Sequence, residues 1–324
     1  MVIPRKLRLF IYKYKGVKKS SFHYIMSASL LLLLFFIGTI ISQTSSLNQL
    51  AFSGGGSFGA VEIGILNHLI EVGLEPQDLY TGISAGALNA GFLSYYTDIR
   101  VGVGVATNIY KSIRNRDIYK VLSTTGISLL NTAPLNNTLT KIIAKMPNKP
   151  VVHTLIGTVN LYSGNLDIFE YESAVDPVAV LMASSAIPGA FPPISYLGAQ
   201  YADGGTLSNE LLQVEHRGAG DYLNITYITP YQGYIEDDTP ITNLREMLGR
   251  TAAIVMGNYN DPLITMNQDC VATPSGVATP IGEINKYFVR GEHLEGYNIL
   301  NFDSGSELVE IGRKYVEHEK YWIC

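Results

Sequence analysis

Six residues, Gly54-Gly55-Gly56-Ser57-Phe58-Gly59, constrain the fold of this chain more than any other feature. Before them, Leu47-Asn48-Gln49-Leu50-Ala51-Phe52-Ser53 reads as a short buried strand. After them, Ala60, Val61, Ile63, Gly64, Leu66, Leu69 and Ile70 recur at helical spacing, and Gly73 supplies the stop. A strand, a glycine turn and a helix in succession leave unpaired backbone N–H groups at a helix N-terminus, where the dipole also favours negative charge. Such a turn has three uses. It can form an oxyanion hole. It can cradle a dinucleotide, since Gly54, Gly56 and Gly59 satisfy G-x-G-x-x-G after a strand. It can bind phosphate as a P-loop, but the Gly-Lys-Ser/Thr ending that this requires is missing. The glycines alone leave the first two readings about even.

The next segment separates them. Leu79-Tyr80-Thr81 leads into Gly82-Ile83-Ser84-Ala85-Gly86, and an apolar helix from Ala87 to Leu93 follows. G-x-S-x-G between a strand and a helix is the context of a nucleophile elbow: Gly82 and Gly86 permit the sharp turn that exposes the serine hydroxyl. A dinucleotide site would want an acidic residue at the end of this second strand, where Ser84 stands instead.

A nucleophilic serine needs a base. An α/β-hydrolase would supply an acid and then a histidine, in that chain order. Of His23, His68, His153, His216, His293 and His318, none lies in a segment that reads as a catalytic loop. His68 falls on the first helix, His318 in an expected polar C-terminal helix, and His293 in the acidic stretch Gly291–Glu295. By contrast, Gln200-Tyr201-Ala202-Asp203-Gly204-Gly205 puts a carboxylate at a strand end before two glycines, although Asp-Gly-Gly by itself is often only a turn.

Four segments in order carry a resemblance: Gly54–Gly59, Gly82–Gly86, Ala183-Ser184-Ser185-Ala186-Ile187-Pro188-Gly189-Ala190-Phe191-Pro192-Pro193, and Asp203-Gly204-Gly205. Together they resemble the patatin-like phospholipases, from about Leu47 to near Lys320. The resemblance implies a Ser–Asp dyad without histidine, with Ser84 as nucleophile and Asp203 as base. It implies an oxyanion hole from the backbone of Gly54, Gly55 and Gly56, with Gly59, Gly82, Gly86, Gly204 and Gly205 supporting the motifs. It also implies acyl-lipid substrates and no calcium requirement. Two positions depart from the pattern: Phe58 stands where the family usually has Arg or Lys, and Asn209-Glu210 where it often has Asn-Pro. The first removes a positive charge beside the glycine turn. The competing functions are an α/β-hydrolase esterase with a Ser-Asp-His triad using His293 or His318, a dinucleotide-binding oxidoreductase, and an inactive membrane-tethered binding protein on the same fold.

The architecture expected is α/β, a mostly parallel central sheet sandwiched between helices in three layers. Strands are expected at Leu50–Ser53, Leu79–Ile83, Gly157–Tyr162 and Ile225–Thr229, and a helix at Pro177–Ser184. The mixed stretch Arg100–Lys149 is expected to cap the site with helices, and 266–296 to be loop-rich. Three regions follow: a basic segment 1–24, an apolar segment with a short linker 25–46, and a catalytic domain 47–324.

Charge sharpens that division. Residues 1–24 hold 7 of the 23 Lys and Arg residues, and the first acid of the chain is Glu62. The remainder therefore carries 16 bases against 28 acids, a balance of −12 that argues against nucleic acid as a partner. Ile25–Ile41 runs 17 residues without a charge, about 25 Å as a helix, which with the basic flank reads as a signal-anchor or a signal peptide. The long basic stretch favours the anchor, and hence a membrane lipid or lipid ester as substrate at the bilayer. Cys270 and Cys324 are expected to be unpaired thiols, no metal-ligand or cofactor motif is present, and Asn136 and Asn224 head N-x-T sequons.

Overall fold

β1 (Leu47–Phe52) runs into a 3₁₀ turn (Gly56–Phe58) and then α1 (Gly59–Val72), so the glycine segment is a strand-to-helix turn, as expected. The structure is a computed structural model that describes residues 47–121, 126–212, 223–231, 240–257 and 282–323. α1 stops where Gly73 turns left-handed at φ 99°, letting Leu74 N–H donate back to Leu69 O at 2.9 Å. β2 (Leu79–Ile83) and α2 (Ala85–Leu93) repeat the strand-to-helix pattern around Ser84.

The stretch expected to be a helical cap contains α3 (Ile99–Ser112), the short α4 (Asn115–Ile118) and α5 (Ala133–Ile143), with a small antiparallel pair, β3 (Lys120–Val121) and β4 (Leu130–Asn131). The chain then makes β5 (His153–Asn160), β6 (Leu166–Glu170), α6 (Pro177–Ser184), β7 (Ile194–Tyr196) and β8 (Ala199–Asp203). α6 starts where expected because Asp176 caps it, accepting from Ala179 N–H at 3.0 Å, with Pro177 at its first position. β9 (Leu223–Tyr231), α7 (Leu244–Gly257), β10 (Gly282–Val289), α8 (Gly305–Lys314) and β11 (Val316–Ile323) complete the described elements.

The main sheet has the order β11-β10-β9-β1-β2-β5-β8-β7, with β6 also paired to β5. The central five strands, β10 to β5, are parallel, and the additions at either side are antiparallel. This is the mostly parallel, helix-covered sheet expected from the alternation of strands and helices. β1 lies at its middle: Leu50 and Phe52 are wholly buried, each stabilising the core by about 1.5–3 kcal/mol. Ile63, Leu66 and Leu69 of α1 and Leu93 of α2 pack into the same core.

Three expectations need correction. The C-terminal helix ends at Lys314, and His318 lies on β11, antiparallel to β10, where it faces Tyr287. The segment Val316–Ile323 holds Val, Tyr, Trp and Ile, which suit a pleated strand. The supposedly loop-rich 266–296 contains β10, whose buried positions Ile284, Lys286 and Phe288 alternate. A lysine in the buried register, its Nζ 5.9 Å from the Phe288 ring centre, hid the period of two. Finally, β5 begins at His153 and ends at Asn160, four residues earlier than expected at its start, with Leu161 and Tyr162 in the turn to β6. The apolar segment 25–41, the basic segment before it, Cys270, Cys324 and His216 lie outside the described residues. No described helix is long and apolar enough to cross a membrane.

Candidate active site

Ser84 occupies the turn between β2 and α2 with φ 54° and ψ −120°, a conformation L-residues rarely adopt and one that costs about 1–3 kcal/mol. Its surroundings hold it there. Ser84 N–H donates to Ser184 Oγ at 2.9 Å, and Ser184 Oγ–H donates to Gly157 O at 2.7 Å. Ser185 Oγ–H reaches Ser84 O at 3.4 Å. The segment Ala183–Pro193 therefore clamps the elbow from α6, a duty the sequence did not disclose for Ser184.

Asp203 ends β8, two strands from β2 in the sheet order, which corresponds to about 10 Å between strand axes. The Ser84 and Asp203 side chains nevertheless meet, because the intervening β5 carries Gly157, and Gly204 packs directly on the Gly157 carbonyl. Any side chain at Gly204 would strike that carbonyl and Ile83. Ser84 Oγ–H donates to Asp203 Oδ2 at 2.7 Å, and Gly205 N–H donates to Asp203 Oδ1 at 2.8 Å. Asp203 is wholly buried, and burial pushes its pKa from 3.8 up to about 7. The hydrogen bonds from Ser84 and Gly205 oppose that rise without cancelling it.

The glycine turn faces the same place. Gly56, at φ 57°, lines a cavity of about 30 Å³ with Ser84 and Ala85, enough for one or two waters. Among the described residues, the N–H groups of Gly55, Gly56 and Ala85 have no hydrogen-bond acceptor. Gly54 has another duty: its N–H donates to Asn209 O at 3.2 Å and its carbonyl accepts from Asn209 Nδ2 at 3.1 Å. The donors available at the turn are thus Gly55 and Gly56, with Ala85 added, rather than Gly54. Asn209, singled out by sequence only as a departure from pattern, latches the turn to the chain after Asp203. Gly82 and Gly86 pack against one another across the elbow, Gly86 N–H donating to Ser53 O at 3.0 Å, and Gly59 admits the Tyr110 hydroxyl. Phe58 is buried, edge-on to Tyr231 with ring centres 5.7 Å apart.

Glu62, which sequence reasoning passed over, lies wholly buried behind the turn. It accepts from Ser53 N–H at 3.0 Å and from Asn89 Nδ2 at 2.8 Å, while Asn89 Oδ1 accepts from Tyr110 Oη–H at 2.8 Å. Burial raises its pKa well above 4.5, the hydrogen bonds from Asn89 and Ser53 pulling the other way. The histidines stand apart. His318 is on β11, four strands from β2, or about 19 Å. His293 stacks on Tyr315 with ring centres 3.9 Å apart, and His153 pairs with Glu172 at the opposite end of β5. No described histidine is hydrogen-bonded to Ser84 or Asp203, and no described cluster of His, Cys, Asp or Glu has metal-binding geometry.

A mostly parallel sheet carrying a serine on a strained strand-to-helix turn, bonded to a buried carboxylate, defines a hydrolase-like α/β class. Within it, the chain belongs to the patatin-like phospholipase family, whose model matches residues 50–214, half of its length. It is 26% identical over 282 residues to "Lysophospholipase NTE1" of Lodderomyces elongisporus, covering 83% of this chain and 19% of that one. It is 23% identical over 245 residues to "Triacylglycerol lipase 5" of Saccharomyces cerevisiae, covering 68% and 31%. The chain thus spans less than a third of the length of these two relatives. Among solved structures it is similar to VipD from Legionella pneumophila, with TM-score 0.40, 14% identity, and 85% and 68% of the two chains covered. ExoU of Pseudomonas aeruginosa, in complex with SpcU, matches with TM-score 0.31, 11% identity, and 86% and 54% covered.

Proposed function

We propose that this protein hydrolyses carboxylic esters of lipids, with Ser84 as nucleophile and Asp203 as its base. The observation that carries the reading is the 2.7 Å hydrogen bond from Ser84 Oγ to the buried Asp203 carboxylate. In the reaction, Ser84 Oγ attacks the ester carbonyl as its proton passes to Asp203 Oδ2. The negative charge that forms on the carbonyl oxygen is met by the N–H groups of Gly55 and Gly56, at the N-terminal end of α1, and by Ala85 N–H. One such donor is worth about 3–4 kcal/mol in transition-state stabilisation. Asp203 returns the proton to the leaving alcohol; water then repeats the cycle on the acyl-enzyme, again giving its proton to Asp203. An ordinary aspartate is a weak base near neutrality, and the burial that raises Asp203 to about 7 strengthens it where it is needed.

The relatives' names point to lysophospholipids and triacylglycerols as the first substrates to assay. The test is labelling with a fluorophosphonate and peptide mapping, alongside turnover of both lipids. Label on Ser84, and loss of label and turnover in Ser84→Ala with an unchanged melting temperature, are expected. Turnover by Ser84→Ala at the parent rate would end this assignment. We further infer that 25–41 anchors the protein, with its body on the non-cytoplasmic side; this rests on the sequence alone. Carbonate extraction with N-terminal sequencing tests it, and a soluble product beginning near Gln43 would make the protein a secreted one.

A further inference from the structure

The cavity at Ser84 has a close neighbour. It shares Gly56, Leu88, Ile118, Leu135 and Phe302 with a second cavity of about 30 Å³, which continues away from the serine toward Leu139 and Ile142. That second cavity in turn shares Ile109, Ile113 and Ile142 with an open groove of about 430 Å³ between α3 and α5. The series runs along one face of α5 and past its end: Leu135 borders both cavities, Leu139 the second, Ile142 the second and the groove, and Lys145 and Met146, just after the helix, the groove alone. From Leu135 to Ile142 this is about 10 Å along the helix axis.

We propose that the two cavities and the groove form a single acyl-binding channel, and that Ile109, Ile113 and Ile142 are the partition that sets the acyl-chain length the enzyme accepts. This deepens, and rests on, the assignment of Ser84 as nucleophile. The occupant follows from the walls. Among the described residues no charged side chain borders either cavity, so a lipid headgroup could not pass without surrendering its hydration unpaired. A hydrocarbon chain can. The ester carbonyl must sit at Ser84, and what extends away from it through the partition is the acyl tail. Among the described residues charge borders the groove alone, at Asp117, Lys141 and Lys145. The lysine stems cover apolar wall there while their ammonium groups stay in water. Ile142 is half-buried at the junction, and its size governs how freely the cavities communicate with the groove.

A long-chain alkyl fluorophosphonate carrying a diazirine at its far end tests the route on the whole protein. After attachment to Ser84 and irradiation, cross-links are expected in the Lys141–Met146 turn or on the facing side of α3. Cross-links confined to the Ala186–Phe191 loop, or to no protein residue while Ser84 is labelled, overturn the channel and leave the nucleophile standing. Absence of label on Ser84 with short and long probes alike overturns both. Chain-length profiles test the partition. Each methylene denied burial costs about fourfold in binding, so Ile142→Phe, by excluding two, lowers the ratio of kcat/KM for dodecanoyl over butanoyl esters by roughly fifteenfold. Ile142→Ala raises that ratio. General damage lowers both esters alike, so a ratio that stays put in both variants refutes the partition.

Discussion

Asp203→Asn is expected to make the protein more stable while making it inactive, and the size of the gain follows from burial. Asp203 is wholly inaccessible, and its pKa stands at about 7 against an ordinary 3.8. Because the folded-state value is the higher, the folded protein holds this proton more tightly than the unfolded chain does. The associated stability is present in full below about pH 4 and is lost as pH rises through about 7. A gap of about three pH units at about 1.4 kcal/mol each makes the loss about 4 kcal/mol. Asparagine has almost the same shape and never ionises. Its Oδ1 can accept from Gly205 N–H as Asp203 does, and its Nδ2 can donate to Ser84 Oγ. The variant should therefore match the parent in melting temperature at about pH 4 and exceed it by ~10 °C at about pH 8.5. Turnover should fall by orders of magnitude at both. Differential scanning calorimetry across that range is the assay. A variant that melts with the parent at both ends, or below it at the alkaline end, would show that Asp203 is not the buried, titrating group described above.

Turnover should also report the same ionisation: kcat/KM rises with pH through an apparent pKa near 7 and then levels, because only ionised Asp203 can take the Ser84 proton; a profile flat between about pH 5 and 8 would contradict this. Glu62→Ala leaves one of the two Asn89 Nδ2 hydrogens without its acceptor, the other staying on Gly59 O, while Ser53 N–H keeps Ile228 O, so urea unfolding should show a loss of about 1–3 kcal/mol. In that variant kcat should fall more than KM rises, since the Glu62 carboxylate holds the start of the glycine turn and borders neither cavity.

Much of the site was legible because glycine motifs report backbone geometry directly. Gly54–Gly59 and Gly82–Gly86 mark turns that few other residues permit, and the strands and helices around them sit where apolar spacing put them. The pairing of Ser84 with Asp203 came from resemblance and could not be read from residues alone, since it depends on β8 returning antiparallel beside β5 and on two glycines thinning the sheet between. Glu62 hid within a helix whose first turn commonly holds an acid, and Ser184 within an apolar helix, so neither broke a local pattern. At the other end, β10 and β11 were misjudged because a buried lysine and a run of charged residues masked strands whose order comes from pairing with each other.

The position of β1 at the middle of the sheet has a consequence for how this protein can be inherited and divided. The family's matched stretch closes at residue 214, yet one side of β1 is hydrogen-bonded to β9, which begins only at Leu223. A gene fragment ending where the recognisable motifs end would carry every proposed catalytic group. It would also leave a largely buried interior strand as a raw edge, open to pairing with any other chain. The later strands, which bear no motif, are therefore bound to the earlier ones by heredity as well as by hydrogen bonds. Their loss would expose β1, so relatives that resemble this chain only through its motifs should still supply a strand at that place.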